Sequence, residues 1–237
     1  MKLAIMQPYF FPYLGYFSLI SQSDEMILFD TPQFMRKGWI ERNRIAKLTG
    51  GSVYVKVPLV KSDLNTPIMN MRIDNKSDWR GRILSQLDIY KKKAPYYNQV
   101  KDLVKESIEK DFTSIVKLNE NALRGVCNYL NIDTKISIFS ELDVTIDPPK
   151  AADEWALNIC LAMGVKHYVN ASGGQSFFDK NKYNSKGICL HFVDQPLDKY
   201  EQFGDDFEPG LSIIDVMMFN SPEEIKGMLS KGSLISV

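Results

Sequence analysis

Three polar side chains near the start of the chain, Gln7, Asp30 and Arg42, are the candidate catalytic residues, Gln7 and Asp30 to hold a small polar substrate and Arg42 its carboxylate or a phosphate. Gln7 directly follows an apolar run, Leu3-Ala4-Ile5-Met6, that predicts a buried first strand. Asp30 follows a second such run, Met26-Ile27-Leu28-Phe29, and Gln33 comes three residues later. In an open parallel sheet, ligands bind outside the carboxyl ends of the strands, so both strand ends would open onto one crevice. Asp30 equally fits an ordinary turn or cap aspartate. Arg42-Asn43, close after Trp39, joins a fixed fork of donors, an amide and an indole, a set able to hold a planar or anionic ligand. Arg36, Lys37, Arg44 and Lys56 make this the densest cationic zone near the predicted crevice.

The eleven residues Gln7-Pro8-Tyr9-Phe10-Phe11-Pro12-Tyr13-Leu14-Gly15-Tyr16-Phe17 link the first strand to a helix expected from about Gly15 to Gln22. Two prolines and a glycine are enough to make a turn. The added aromatics, Tyr9, Tyr13 and Tyr16 among them, suggest a surface that receives something, or else core and lid packing. Further along, His167-Tyr168-Val169 predicts a strand running into Asn170-Ala171-Ser172-Gly173-Gly174-Gln175-Ser176. Glycines there let backbone amides approach an anion, and Asp179 beyond them could cap a helix or touch a hydroxyl. A plain flexible loop reads the same way.

These groups need a scaffold. Strand-like runs at both ends of the chain, with helical periodicity between about Asp78 and Ile132, predict an α/β fold whose two ends share one sheet. Strands are also expected from Trp39 to Lys47 and Val53 to Val60 around Gly50-Gly51, at Ile136 to Phe139 and at Ile188 to Val193. Helices are expected from Asp153 to Met163, closed by Gly164, and over Leu211 to Phe219 and Glu223 to Leu229. At 237 residues the chain reads as a single α/β domain with the 78–132 helical section inside it.

Composition narrows the function classes. Lysine plus arginine and aspartate plus glutamate number 29 each, so no global field draws in nucleic acid or anionic membrane. Cys127, Cys160 and Cys189 lack paired spacing and read as reduced thiols of a cytoplasmic protein. No leader-type segment precedes the first strand, and no apolar run reaches the ~20 residues of a membrane span. His167 and His191 are too few for a protein-only zinc cage, and no metal site is expected.

Two resemblances meet at these residues. The opening Gln7–Phe17 segment, with Asp24, Asp30, Gln33-Phe34, Trp39 and Arg42-Asn43, resembles the signature of the WbqC-like family. Tyr90-Lys91, Ala94-Pro95-Tyr96, Gly173-Gly174 with Asp179, and Leu211-Ser212-Ile213-Ile214-Asp215 resemble its later blocks. That resemblance implies a place in surface-polysaccharide (O-antigen) biosynthesis and the transfer of an amino acid such as glycine onto a nucleotide-linked amino sugar. The first ~35 residues are also similar to the strand, HxGH turn, helix and strand of cytidylyltransferases and pantothenate synthetase. This implies a nucleotidyltransferase-like, HUP/Rossmann-type parallel sheet, with ATP and Mg2+ as the cofactors of an amide-forming ligase. Thr31-Pro32-Gln33-Phe34 then places Gln33 on the acid substrate. Tyr13 and Tyr16 stand where that family has its two histidines, and a phenol carries no positive charge near neutral pH. The charge to meet the phosphates would come instead from Arg36, Arg42, Lys56 or a bound magnesium, with the amides of Asn170, Gly173 and Gly174 meeting the other phosphate. The expectation is an acyl or aminoacyl transferase or ligase. A non-catalytic nucleotide or nucleotide-sugar binding protein and a nucleotidyltransferase are the alternatives. Nucleic acid is not an expected partner, although aminoacyl-tRNA as acyl donor stays open; the sequence leaves the oligomeric state open.

Overall fold

The structure is a computed structural model describing residues 1–203 and 206–236. Its centre is a six-stranded sheet in the order β5-β2-β1-β6-β7-β8, formed by Lys135–Ile138, Glu25–Leu28, Lys2–Met6, His167–Ala171, Cys189–Asp194 and Ser233–Ser236. Every neighbouring pair is parallel except the edge pair β7–β8. From β1 the chain builds outward on one side through β2 to β5, then returns to β6 on the other side of β1 and proceeds to β7. The reversal falls between β1 and β6, and there a parallel sheet opens a crevice at its carboxyl edge.

Alternation along the strands separates two apolar layers. Ala4, Met26, Leu28 and Val169 face a large core with α1 (Leu14–Ser21), α7 (Ile213–Phe219) and α8 (Pro222–Leu229). The helices α2 (Trp79–Gln86), α3 (Tyr97–Glu109) and α4 (Ile115–Tyr129) pack into the same layer. Leu3, Ile5, Ile27 and Leu190 face the opposite layer with α5 (Glu154–Ala162) and α6 (Lys180–Ser185). Asp78 caps α2 by accepting a hydrogen bond from Gly81 N, and Gly164 adopts φ +66° after α5.

The hairpin expected around Gly50-Gly51 forms, but as a separate two-stranded ribbon, β3 (Arg42–Ala46) and β4 (Ser52–Lys56). It is shorter than the two apolar runs suggest. Beyond Lys56 the chain leaves the ladder at Pro58, which lacks an amide donor, and before Arg42 the segment around Trp39 forms turns. Two elements go beyond the periodicity reading, α6 and the edge strand β8.

His167 and His191 come together across β6 and β7, Nδ1 to Nε2 at 3.1 Å, and His191 Nδ1 lies 2.9 Å from Ser236 Oγ on β8. Burial, His167 and Lys2 all hold the His191 pKa below its ordinary value. A depressed folded pKa means the unfolded chain binds more protons, so stability rises with pH through this window. Thermal melts should therefore show Tm falling as the pH drops below about 6.5, with the fall reduced in His191→Gln. Among the described residues, no helix is long and apolar enough to cross a membrane.

Candidate functional site

The aromatic turn after β1 sits at the switch point, and it is unusually well tied down. Asn43 Nδ2 donates to Phe10 O at 3.1 Å and to Phe11 O at 3.0 Å. Ser212 Oγ donates to Phe11 O at 2.7 Å, and Ile213 N donates to Pro12 O at 2.8 Å. Asn119 Nδ2, from α4, donates to Pro8 O at 2.8 Å and to Ile40 O at 2.9 Å. Tyr16 Oη donates back to Gln7 O at 2.8 Å, and Phe10 N donates to Trp39 O at 2.9 Å. Phe11 is held at φ +38°, a conformation that costs a non-glycine residue energy and persists only where its surroundings over-determine it. The turn is thus preorganised by side chains from β3, α4 and the start of α7.

Around it lie two joined lobes. The larger, about 680 Å³, runs between the turn and the loop after β6 and is lined by Tyr9, Tyr13, Tyr16, Trp39, Asn43 and Asn170, with Gly173, Gly174, Phe177 and Phe178 at the far wall. The smaller, about 300 Å³, lies toward α5 and is lined by Gln7, Phe29, Trp155 and Tyr168. Met6, Tyr9, Asn170, Phe177 and Phe178 line both lobes. Among the described residues, neither lining contains a charged side chain. A wide depression of about 670 Å³ near Gln22, Asp24 and Asn131 is at the opposite, amino edge of the sheet, away from the strand ends that position ligands.

Among the described residues the Gln7 amide, the Tyr9 and Tyr13 phenols and the indole N–H groups of Trp39 and Trp155 line the lobes without a hydrogen-bond partner. Burial raises the pKa of Tyr9, with Tyr13 adding to it, and burial raises that of Tyr13. Both phenols therefore stay protonated and offer donors. Asn170 is less free, accepting from Ala171 N at 2.7 Å and donating to Tyr168 Oη at 2.6 Å. Aromatic faces with a few neutral donors suit a sugar ring or a nucleobase.

Gly15 is the residue that lets Tyr13 sit there. A Cβ at position 15 would lie 2.5 Å from Tyr13 Cε2 and 2.8 Å from its hydroxyl oxygen. Because Tyr13 is partly exposed and its ring can swing aside, Gly15→Ala should move the ring at little cost in stability. The expected result is ligand affinity lowered by about tenfold with Tm changed by only about 2 °C, read by calorimetry and thermal melting.

The remaining candidates from the sequence are drawn into local structure. Asp30 is buried, and its carboxylate accepts from Ser140 N at 3.0 Å and Ser140 Oγ at 2.6 Å, holding the turn after β5. Burial raises its pKa. Gln33 donates to Leu64 O at 2.7 Å. Arg42 donates to Lys37 O at 2.6 Å and Gly38 O at 3.3 Å, with its guanidinium 4.1 Å over the Tyr54 ring. Asp179 caps α6 by accepting from Asn181 N at 2.9 Å. Lys56 opens onto a different concavity. None of these five lines either lobe. Conversely, Trp155, Phe177 and Phe178 line the crevice, and Asn119 holds the turn, without any motif to mark them.

Fold and site together define an α/β protein with a mostly parallel central sheet and an uncharged aromatic crevice at its switch point. The model of the WbqC-like protein family matches residues 7–227, and the chain belongs to that family. It is 30% identical over 222 residues to an uncharacterized protein of Mycobacterium tuberculosis, Rv1507c, covering 92% of this chain and 93% of the relative. No solved structure matches the chain.

Proposed function

We propose that the crevice binds a nucleotide-linked amino sugar and that an acyl or aminoacyl group, such as glycyl, is joined to the sugar's amine there. The observation carrying this reading is the two-lobed, uncharged aromatic crevice at the switch point, with Gln7, Tyr9 and Tyr13 unpartnered inside it. In this reading the parallel sheet is nucleotidyltransferase-like, and its carboxyl edge takes the nucleotide side. The larger lobe takes base or sugar against the aromatic rings, and Gln7 and Tyr9 orient the amine at the junction.

ATP with magnesium does not fit the lining. Among the described residues neither lobe carries a carboxylate for the metal, which a nucleotide-linked sugar does not require, its phosphates being met in this reading by the backbone amides of Gly173 and Gly174. The acyl group is therefore best supplied already activated, as an ester or thioester. The amine attacks the carbonyl carbon, a C–N bond forms, and the C–O or C–S bond breaks. The alcohol or thiol leaves with the proton that the amine releases.

The test is a thermal-shift and calorimetric panel of nucleotides, nucleotide-linked amino sugars and amino acids. Mass spectrometry of the sugar after incubation with an activated acyl donor follows. The reading predicts micromolar binding of an amino-sugar nucleotide and a mass gain at its amine. No binding by any member of the panel to the folded protein overturns it. A second reading, a nucleotide-sugar binding protein without catalysis, is favoured by the lack, among the described residues, of any carboxylate, histidine or lysine in the lobes; it predicts binding with no mass gain.

A further inference from the structure

The Phe34–Glu41 segment also lines a second concavity, of about 310 Å³, that shares no lining residue with the crevice and has the opposite chemistry. Arg36, Lys37, Lys56 and Lys61 line it, and among the described residues none of them forms an ion pair. Arg36 is tethered through a hydrogen bond to Ser62 O at 2.8 Å, which fixes its guanidinium at the wall. Among the described residues, the one carboxylate in its lining is Glu41, only 5% exposed. Its Oε1 accepts from Lys37 N at 3.1 Å and so supports Lys37 at φ +62°, a left-handed conformation that a lysine seldom adopts. Its Oε2 is buried without a donor. Four converging cations and a single structural carboxylate leave a local excess of positive charge that the balanced whole chain does not share.

We propose that this concavity is a binding site for a phosphate-class polyanion, a diphosphate or longer, separate from the aromatic crevice. Three lysines act as compact point charges and Arg36 adds a planar fork, the combination that recognises phosphate oxygens. The Oε2 of Glu41 gains its missing donor when Lys37 or Lys56 is drawn inward over the bound anion. A ligand of roughly three negative charges matches the net charge of the lining. The inference does not depend on what the crevice binds.

Titration of the full chain with inorganic pyrophosphate, measured by calorimetry in low salt, tests it. The expected result is saturable binding with one site per chain, weakened about tenfold or more in the Lys56→Ala/Lys61→Ala double variant. Both side chains are exposed, so the double variant should keep the wild-type melting temperature. Tyr13→Phe should bind pyrophosphate as the wild type does. Citrate, a carboxylate anion of similar charge, should bind more weakly than pyrophosphate. The proposal is overturned by any of three results: no saturable binding to the folded chain, binding undiminished in the double variant, or loss of binding in Tyr13→Phe. Citrate binding as tightly as pyrophosphate overturns the assignment to phosphate.

Discussion

Replacing Asp215 by alanine should destabilise the protein by about 3–5 kcal/mol, lowering Tm by roughly 10 °C or more. Asp215 is fully buried at the first turn of α7. Its Oδ2 accepts from the Tyr90 hydroxyl and from Ala46 N at 3.2 Å, and its Oδ1 accepts from Tyr200 Oη at 2.7 Å and Gln202 Nε2 at 3.4 Å. Among the described residues no cation balances it, so the carboxylate depends on these donors, which come from β3, the helical section and the segment before α7. Alanine would strand several of them in the core. Asparagine keeps the shape but turns an NH2 toward a donor, so Asp215→Asn should recover only part of the loss. A pH readout separates the charge from the packing. Burial raises the Asp215 pKa, although its hydrogen bonds pull the other way. A raised folded pKa means that the folded state holds the proton more tightly, so stability falls as pH rises from about 3.9 through the folded value. That slope should diminish in Asp215→Asn. The network matters for the crevice because α7 begins at Ser212, which holds the aromatic turn.

Asn43→Ala should have the second-largest effect and should act on both stability and binding. The single amide nitrogen serves two consecutive turn carbonyls in a site only 3% exposed. Its loss leaves Phe10 O without that donor and removes one of the two groups holding strained Phe11. The expected cost is about 2–3 kcal/mol by chemical denaturation. Ligand affinity should fall at least about tenfold, because Tyr9 and Tyr13 are carried by the loosened turn. A variant that loses stability but binds normally would show that the turn's rigidity is not part of the site.

The sheet and its helices were largely legible. Apolar runs such as Leu3–Met6 and Met26–Phe29 alternate in length and flanks with clear helical periodicity, and parallel strands buried on both faces carry that signature strongly. The edge strand β8, Ser233–Ser236, mixes polar and apolar residues and has a single neighbour, so nothing in its composition marks it. The location of the crevice was also legible, since strand, aromatic turn and helix occur in order. The roles of single polar residues were not. Asp30, Gln33 and Asp179 satisfy nearby backbone or hydroxyl groups, and a capping carboxylate or amide looks the same in sequence as one that meets a ligand. Asn43 was legible as important, although its amide is spent on the turn. Asn119 was invisible because it lies on the otherwise apolar, buried face of an amphipathic helix, and its partners, Pro8 and Ile40, are distant in sequence.

A crystal structure of the chain soaked with the tightest-binding nucleotide-linked amino sugar would show whether the substrate occupies the two lobes at the switch point. The ligand is expected between the aromatic turn and the loop after β6, its ring against Tyr13 or Phe178, with Gln7 and the Tyr9 hydroxyl in hydrogen-bond contact with it. A saturated ligand bound elsewhere, with both lobes empty, would overturn this assignment.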